Sequence, residues 1–142
     1  MGQAHYQYTY RNACAIEMAD SVIITGGRYS YTRVQEYNLQ GSVARLPDLN
    51  TGRGEHACGH FVRSGQLVSR MAVWCSLSIL LSGCWLQVYV VTGGKDSAGN
   101  TLSSTETLTP GASHWQFAGQ LPSARKAMRG ISLGGSFFVT GE

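Results

Sequence analysis

His56, Cys58 and His60 fall at i, i+2 and i+4. On a strand, alternate residues share a face, so all three would point the same way, and imidazoles with a thiolate are zinc-ligand chemistry. No carboxylate or further Cys or His completes the set, so neither a metal nor a cofactor is expected. Cys58 then reads as a small buried apolar side chain. Ser, Cys and His all occur, but no nucleophile elbow or Cys/His signature surrounds them, and no catalytic residue is expected. Gly26-Gly27-Arg28 and Gly93-Gly94-Lys95 join permissive backbone to a cation. Neither completes a phosphate loop, and no helix is expected to follow and hold an anion with its dipole.

Two residue sets suit binding better. One follows each glycine pair: Arg28, Tyr29, Tyr31 and Arg33, then Lys95, Asp96, Ser97 and Asn100. The other lies ahead of a new strand: Asn50, Arg53 and His56, then Ser123, Arg125 and Lys126. Tyrosine and arginine carry much of the energy of protein interfaces, and loops commonly present them. Arg53 and Arg125 equally suit a structural role at a sheet edge. Eleven basic residues give a net charge of +3 but are scattered, so no nucleic-acid surface is expected.

These loops hang on a repeated apolar run. Val22-Ile23-Ile24-Thr25-Gly26-Gly27 recurs as Val88-Tyr89-Val90-Val91-Thr92-Gly93-Gly94, and Phe137-Phe138-Val139-Thr140-Gly141 is a third, shorter copy. Each reads as a buried strand ending in a sharp turn that needs glycine. The 18 glycines and only 13% charged residues suit an all-β chain with tight turns. Around the first copy, strands are expected near Ala13–Glu17, Arg33–Asn38 and Val43–Leu46, closed by Leu46-Pro47. At Arg53 the order restarts. Ala57-Cys58 echoes Ala13-Cys14, Glu106 echoes Glu36, Leu121-Pro122 echoes Leu46-Pro47 and Arg125 echoes Arg53. A third restart runs from Arg129 to Leu133.

Four short strands per unit, with a glycine pair after the second, resemble the kelch repeats of β-propellers. Tyr37 in the first unit and Trp115 in the second each supply half of the aromatic pair usual in such units. The resemblance implies an all-β fold, a partial kelch-type β-propeller of four-stranded antiparallel blades. The expected divisions are a leader or last strand of a preceding blade at 1–12, one repeat at 13–52, a second at 53–124 and the start of a third at 125–142.

Gly26 and Gly93 are 67 residues apart, but Gly93 and Gly141 only 48. The excess falls at Val68–Gln87, and its removal restores the spacing. We read this segment as a retained intron or gene-model error. A membrane span over Met71–Gly94 and a long surface insertion are the competing readings; a span would split a blade and leave open edges in lipid.

By the resemblance, the expected function is a non-catalytic protein–protein interaction platform. Its candidate binding residues are Arg28, Tyr29, Tyr31, Arg33, Arg53, His56, Lys95, Asp96, Asn100 and Arg125. Gly26, Gly27, Gly93, Gly94 and Gly141 are expected to be structural. A kelch-fold enzyme, oxidase-like or sugar-processing, is the alternative by fold analogy. The remaining blades are expected from a longer chain continuing past Glu142. Residues Met1–Tyr10 lack the basic segment and apolar core of a secretory signal, and the four cysteines form neither a CxxC pair nor a dense disulfide framework. A cytoplasmic protein is therefore expected.

Overall fold

The computed structural model describes residues 11–64 and 85–141. Within them the chain forms ten strands: β1 (Cys14–Glu17), β2 (Ser21–Thr25), β3 (Val34–Asn38), β4 (Val43–Arg45), β5 (Ala57–Ser64), β6 (Trp85–Thr92), β7 (Ser104–Leu108), β8 (Gln116–Gln120), β9 (Arg129–Leu133) and β10 (Ser136–Thr140). They build two antiparallel four-stranded sheets, β1-β2-β3-β4 and β5-β6-β7-β8, and a hairpin β9-β10. Each sheet is a meander, the arrangement of a propeller blade. The expected all-β fold with four-stranded antiparallel blades is therefore present. No helix long and apolar enough to cross a membrane occurs among the described residues.

Alternation along the strands sets the packing. In blade 1, Cys14 pairs with Thr25 and Ile16 with Ile23, while Thr25 also pairs with Val34. These residues share the face toward blade 2. Blade 2 answers with Cys58, Tyr89, Val91 and Leu108, likewise linked by cross-strand pairing. Ile16, Ile23, Val34, Leu49, Cys58, Tyr89, Val91, Leu108 and Trp115 form one buried cluster between the sheets. Trp115 closes it from blade 2: its indole N–H donates to the Pro47 carbonyl at 2.8 Å, and Asn50 Nδ2 donates to the Trp115 carbonyl at 2.7 Å.

The register corrects two sequence matches. Thr25 pairs with Cys14 and with Val34; Thr92 pairs with Ala57 and with Thr105. Ala57, not Cys58, is the counterpart of Cys14, and Glu106 is the counterpart of Gln35, not Glu36. A one-residue step in a strand reverses the face. Cys14 therefore looks forward to blade 2 and Cys58 back to blade 1, and they join in a disulfide with Cα atoms 5.9 Å apart. The sequence reading of Cys58 as a free apolar side chain is overturned.

The β5–β6 hairpin is longer than its counterparts. Gln87, Leu86 and Trp85 continue the ladder opposite Val62, Arg63 and Ser64. The last three residues of the Val68–Gln87 segment thus belong to β6. A helical span reaching to Gly94 is excluded at that end, because Trp85–Thr92 is strand. Positions 68–84 and the leader 1–10 lie outside the described residues.

The linker between blades is fixed by a buried ion pair. Arg53 and Glu106 side chains are both 0% exposed, with Nη2 and Oε1 2.6 Å apart. Arg53 spends its other donors on the carbonyls of Thr51, Gly93 and Ser104 and on Ser104 Oγ. Glu106 accepts in addition from the Asn50 and Thr51 amides at 2.8 and 3.0 Å. Burial pulls the Arg53 pKa below its ordinary value, and the hydrogen bond and charge of Glu106 oppose that pull.

Removing one partner strands a buried charge. Glu106→Ala should cost about 3–5 kcal/mol in urea unfolding. A loss below about 1 kcal/mol would mark the pair as effectively solvated. Peptide mapping without reduction should recover Cys14 linked to Cys58, and Cys14→Ser should cost roughly 2–4 kcal/mol relative to the oxidised chain. Recovery of both thiols free would contradict the bridge.

Candidate functional site

The glycine pairs organise the end of the blades where the loops gather. Gly26 and Gly27 have φ of 62° and 103°, and Gly93 and Gly94 of 63° and 93°, a region open to glycine and strained for other residues. Close approach adds a second reason. A Cβ on Gly26 would strike the Arg53 carbonyl, and one on Gly93 the Met128 sulfur. The second glycine of each pair lies against the segment leading into its own blade: Gly27 against Ala13, Gly94 against Gly54 and His56. Each pair thus sits between the lead-in to its own blade and the lead-in to the next. Gly141 needs only the second reason, with Met128 Cγ 2.8 Å from where its Cβ would be.

This packing opens a cleft of about 380 Å³ between the two blades. Arg11, Asn12, Gly54 and Glu55 come from the lead-in segments, Arg28 and Tyr31 from the β2–β3 loop, and residues 95–99 from the β6–β7 loop. Gly54 and Lys95 exchange backbone hydrogen bonds of 2.9 and 2.8 Å, which fixes one loop to the lead-in. The Lys95 ammonium pairs with Glu55 at 2.9 Å, and Asn12 Nδ2 donates to the same carboxylate oxygen at 3.1 Å. Asp96 accepts from the Asn100 amide and from Asn100 Nδ2, both at 2.8 Å. Those bonds hold its pKa below the ordinary carboxylate value. Arg11 and Arg28 stand exposed at the rim with no ion-pair partner among the described residues. The cleft therefore offers two guanidiniums without ion-pair partners among the described residues, beside the Lys95–Glu55 pair and the Asn100-braced Asp96 carboxylate, and the two guanidiniums can take an anionic ligand group.

Of the expected binding residues, Arg28, Tyr31, Lys95 and Asp96 meet in this cleft. Asn100 supports it by bracing Asp96. Tyr29 is exposed beside it. The Arg33 carbonyl accepts from the Gly26 amide, anchoring the loop base. Arg53 and His56 do not reach the rim; both are buried, which corrects their assignment as surface contacts. Arg125 is remote from the cleft, with Nη1 donating to the Gly141 carbonyl at 3.0 Å and Nε to Ser123 Oγ at 3.2 Å. Arg11, Asn12 and Glu55 were missed. Asn12 and Glu55 have φ of 63° and 54°, and each stands two residues before its blade's first strand pair, so repeat position was the available signal.

The His56–Cys58–His60 set faces one way, as alternation requires, but cannot act as a ligand set. Cys58 is spent in the disulfide, and His56 Nε2 lies 2.8 Å from Thr25 Oγ1. His56 Nδ1 is buried without a partner. Burial, with a smaller contribution from the Arg53 charge, lowers the His56 pKa to about 3.

This buried histidine makes stability pH-dependent. Its folded pKa of about 3 lies below the unfolded value of about 6.5, so the unfolded chain takes up a proton first as pH falls. Stability from this group is complete above about pH 6.5 and drains toward pH 3, by up to about 1.4 kcal/mol per pH unit. Urea unfolding between pH 7 and 4 should show that slope, and His56→Phe should flatten it. A wild-type slope unchanged by His56→Phe would assign it elsewhere.

No protein-family model matches the sequence. No curated protein matches it either. Among solved structures, one titled "Structure of YjhT" superposes with a TM-score of 0.66 at 16% identity. The match covers 96% of this chain and 34% of that one, so this chain spans about a third of its length. At that identity the likeness is one of fold.

Proposed function

We propose that this chain is part of a kelch-repeat propeller and serves as a protein-binding module, with the inter-blade cleft as its contact surface. The observation that carries the reading is the pair Arg11 and Arg28, exposed beside Tyr31 and unpaired among the described residues, while Lys95 and Glu55 neutralise one another below. A partner segment bearing a carboxylate would enter between the guanidiniums, and Tyr29 and Tyr31 would cover its apolar portion. The repeated glycine pairs and the YjhT-like fold support the kelch assignment. The disulfide between blades favours an oxidising compartment over the cytoplasm, since such bonds persist where thiols are not kept reduced.

Peptides selected from a random display library on the native chain should be enriched in Asp and Glu. Arg11→Glu combined with Arg28→Glu should weaken the best of them about tenfold or more, corresponding to about 1.4 kcal/mol. The melting temperature should hold, because both side chains are exposed. Enrichment without acidic bias, or undiminished capture by the charge-reversed variant, would sink this reading.

A further inference from the structure

We infer that the cleft seats a cation as well as an acid: the partner segment carries a lysine or arginine close to its carboxylate, held over Gly54 by Asp96 and Tyr31. The inference rests on the cleft reading and names the partner's chemistry more closely. All four wall segments of the cleft, two lead-ins and two loops, belong to blades 1 and 2.

The room for a cation comes from Gly54. Cys14, Ala57 and Arg129 are counterparts, since each lies opposite the threonine that ends the next strand: Thr25, Thr92 and Thr140. Three residues ahead of them stand Arg11, Gly54 and Lys126. The lead-in backbones match there, because the next residues, Asn12, Glu55 and Ala127, have φ of 63°, 54° and 52°. Blade 2 therefore has a glycine where the other two units carry a long cation. Nothing in the backbone requires it. The φ of Gly54 is not positive, and a Cβ there would meet the Asn12 carbonyl oxygen at 3.5 Å and Tyr31 Cε1 at 3.6 Å, ordinary contact distances. The missing side chain leaves part of the cleft floor open.

What faces that floor suits a positive charge. Gly54 exchanges backbone hydrogen bonds with Lys95, which sets Asp96, the next residue, beside it. The Asp96 carboxylate accepts only from neutral donors, the Asn100 amide and Nδ2, and has no ion-pair partner among the described residues. Its charge is stabilised but not balanced. Glu55 differs, because Lys95 balances it. The Tyr31 ring lies on the other side of the floor, and aromatic rings attract ammonium and guanidinium groups. Arg11 and Arg28 would repel a base arriving alone, so the base depends on the acid bound between them. A cleft of about 380 Å³ holds only a short stretch of chain, which keeps acid and base near one another in the partner.

The test uses peptides selected on the native chain from a random display library. Each selected Asp or Glu should have a Lys or Arg close to it in sequence. The tightest peptide is then synthesised with a fluorophore, and its base is replaced by glutamine. That replacement should weaken binding about fivefold, the scale of one exposed ion pair, as read by anisotropy. In an Asp96→Asn chain the same replacement should cost less than about twofold, because the counter-charge is gone. Gly54→Lys gives a second reading should Asp96→Asn fail to fold: the new ammonium occupies the seat, so the peptide's base again ceases to matter. Acidic peptides without an accompanying base would overturn this inference and leave the cleft reading standing, whereas peptides without acidic bias would sink both. A loss on replacing the base that persists in both variants would place the base elsewhere and overturn the proposal.

Discussion

The Arg53–Glu106 ion pair is the contact on which the relation between the blades depends. Two unit charges with no solvent exposure are tolerated only when each has its hydrogen bonds satisfied. Arg53 meets that condition with donors to Thr51, Gly93, Ser104 and Glu106. Its backbone belongs at the same time to blade 1, with its amide on Tyr31 and its carbonyl on Gly27. One residue is therefore held by the second-to-third strand loop of one blade and the third strand of the next. An apolar residue at Arg53 could fill the space, but it could not specify which carbonyls lie around it.

The glycine pairs follow from this arrangement. The lead-in at Arg53–His56 must pass close under the backbone of the preceding blade, and a side chain at Gly26 would block it. The cleft is the solvent side of the same crossing. Glu55 adopts φ of 54° to turn the chain into β5, and the turn leaves its carboxylate beside Lys95. Structural residues and candidate binding residues thus alternate along one short segment: Arg53 inward, Gly54 bridged to Lys95, Glu55 toward the cleft, His56 inward. Change at the rim is cheap, and change one residue away is costly.

The strands and the blade repeat were legible because alternation and glycine turns are local signals, and the copies at Val22, Val88 and Phe137 repeat both. What was not legible came from register. Matching letters aligned Cys14 with Cys58 and Glu36 with Glu106, yet residues at equal positions in successive blades face the same way and cannot meet. The disulfide exists because those cysteines are one step out of equivalence, so one looks forward and the other back. The same step turns Glu106 toward Arg53, while Glu36, on the opposite face of its strand, lies near enough to Tyr89 for its charge to help raise the Tyr89 pKa, after burial. His56 was read as a rim residue, and Arg53 as either a rim or a structural residue, because both lie in the segment ahead of a blade's first strand. Their burial was decided by partners 53 residues away in one case and 31 in the other.

Three arginines show how little residue type alone decides. Arg53 is buried because Glu106 and several carbonyls surround its guanidinium. Arg28 is exposed in a cleft where the Glu55 carboxylate is held by Lys95 and Asn12 and the Asp96 carboxylate by Asn100. Arg125 is intermediate: it has the glycine-carbonyl bond of a clasp but no acid to complete it among the described residues. A guanidinium keeps its charge in all three settings, so it must be paid for by water, by a carboxylate or by carbonyl dipoles. Where the protein supplies the acid, arginine becomes part of the core. Where only some of the acceptors surround it, as at Arg125, the guanidinium stays exposed and water supplies the rest.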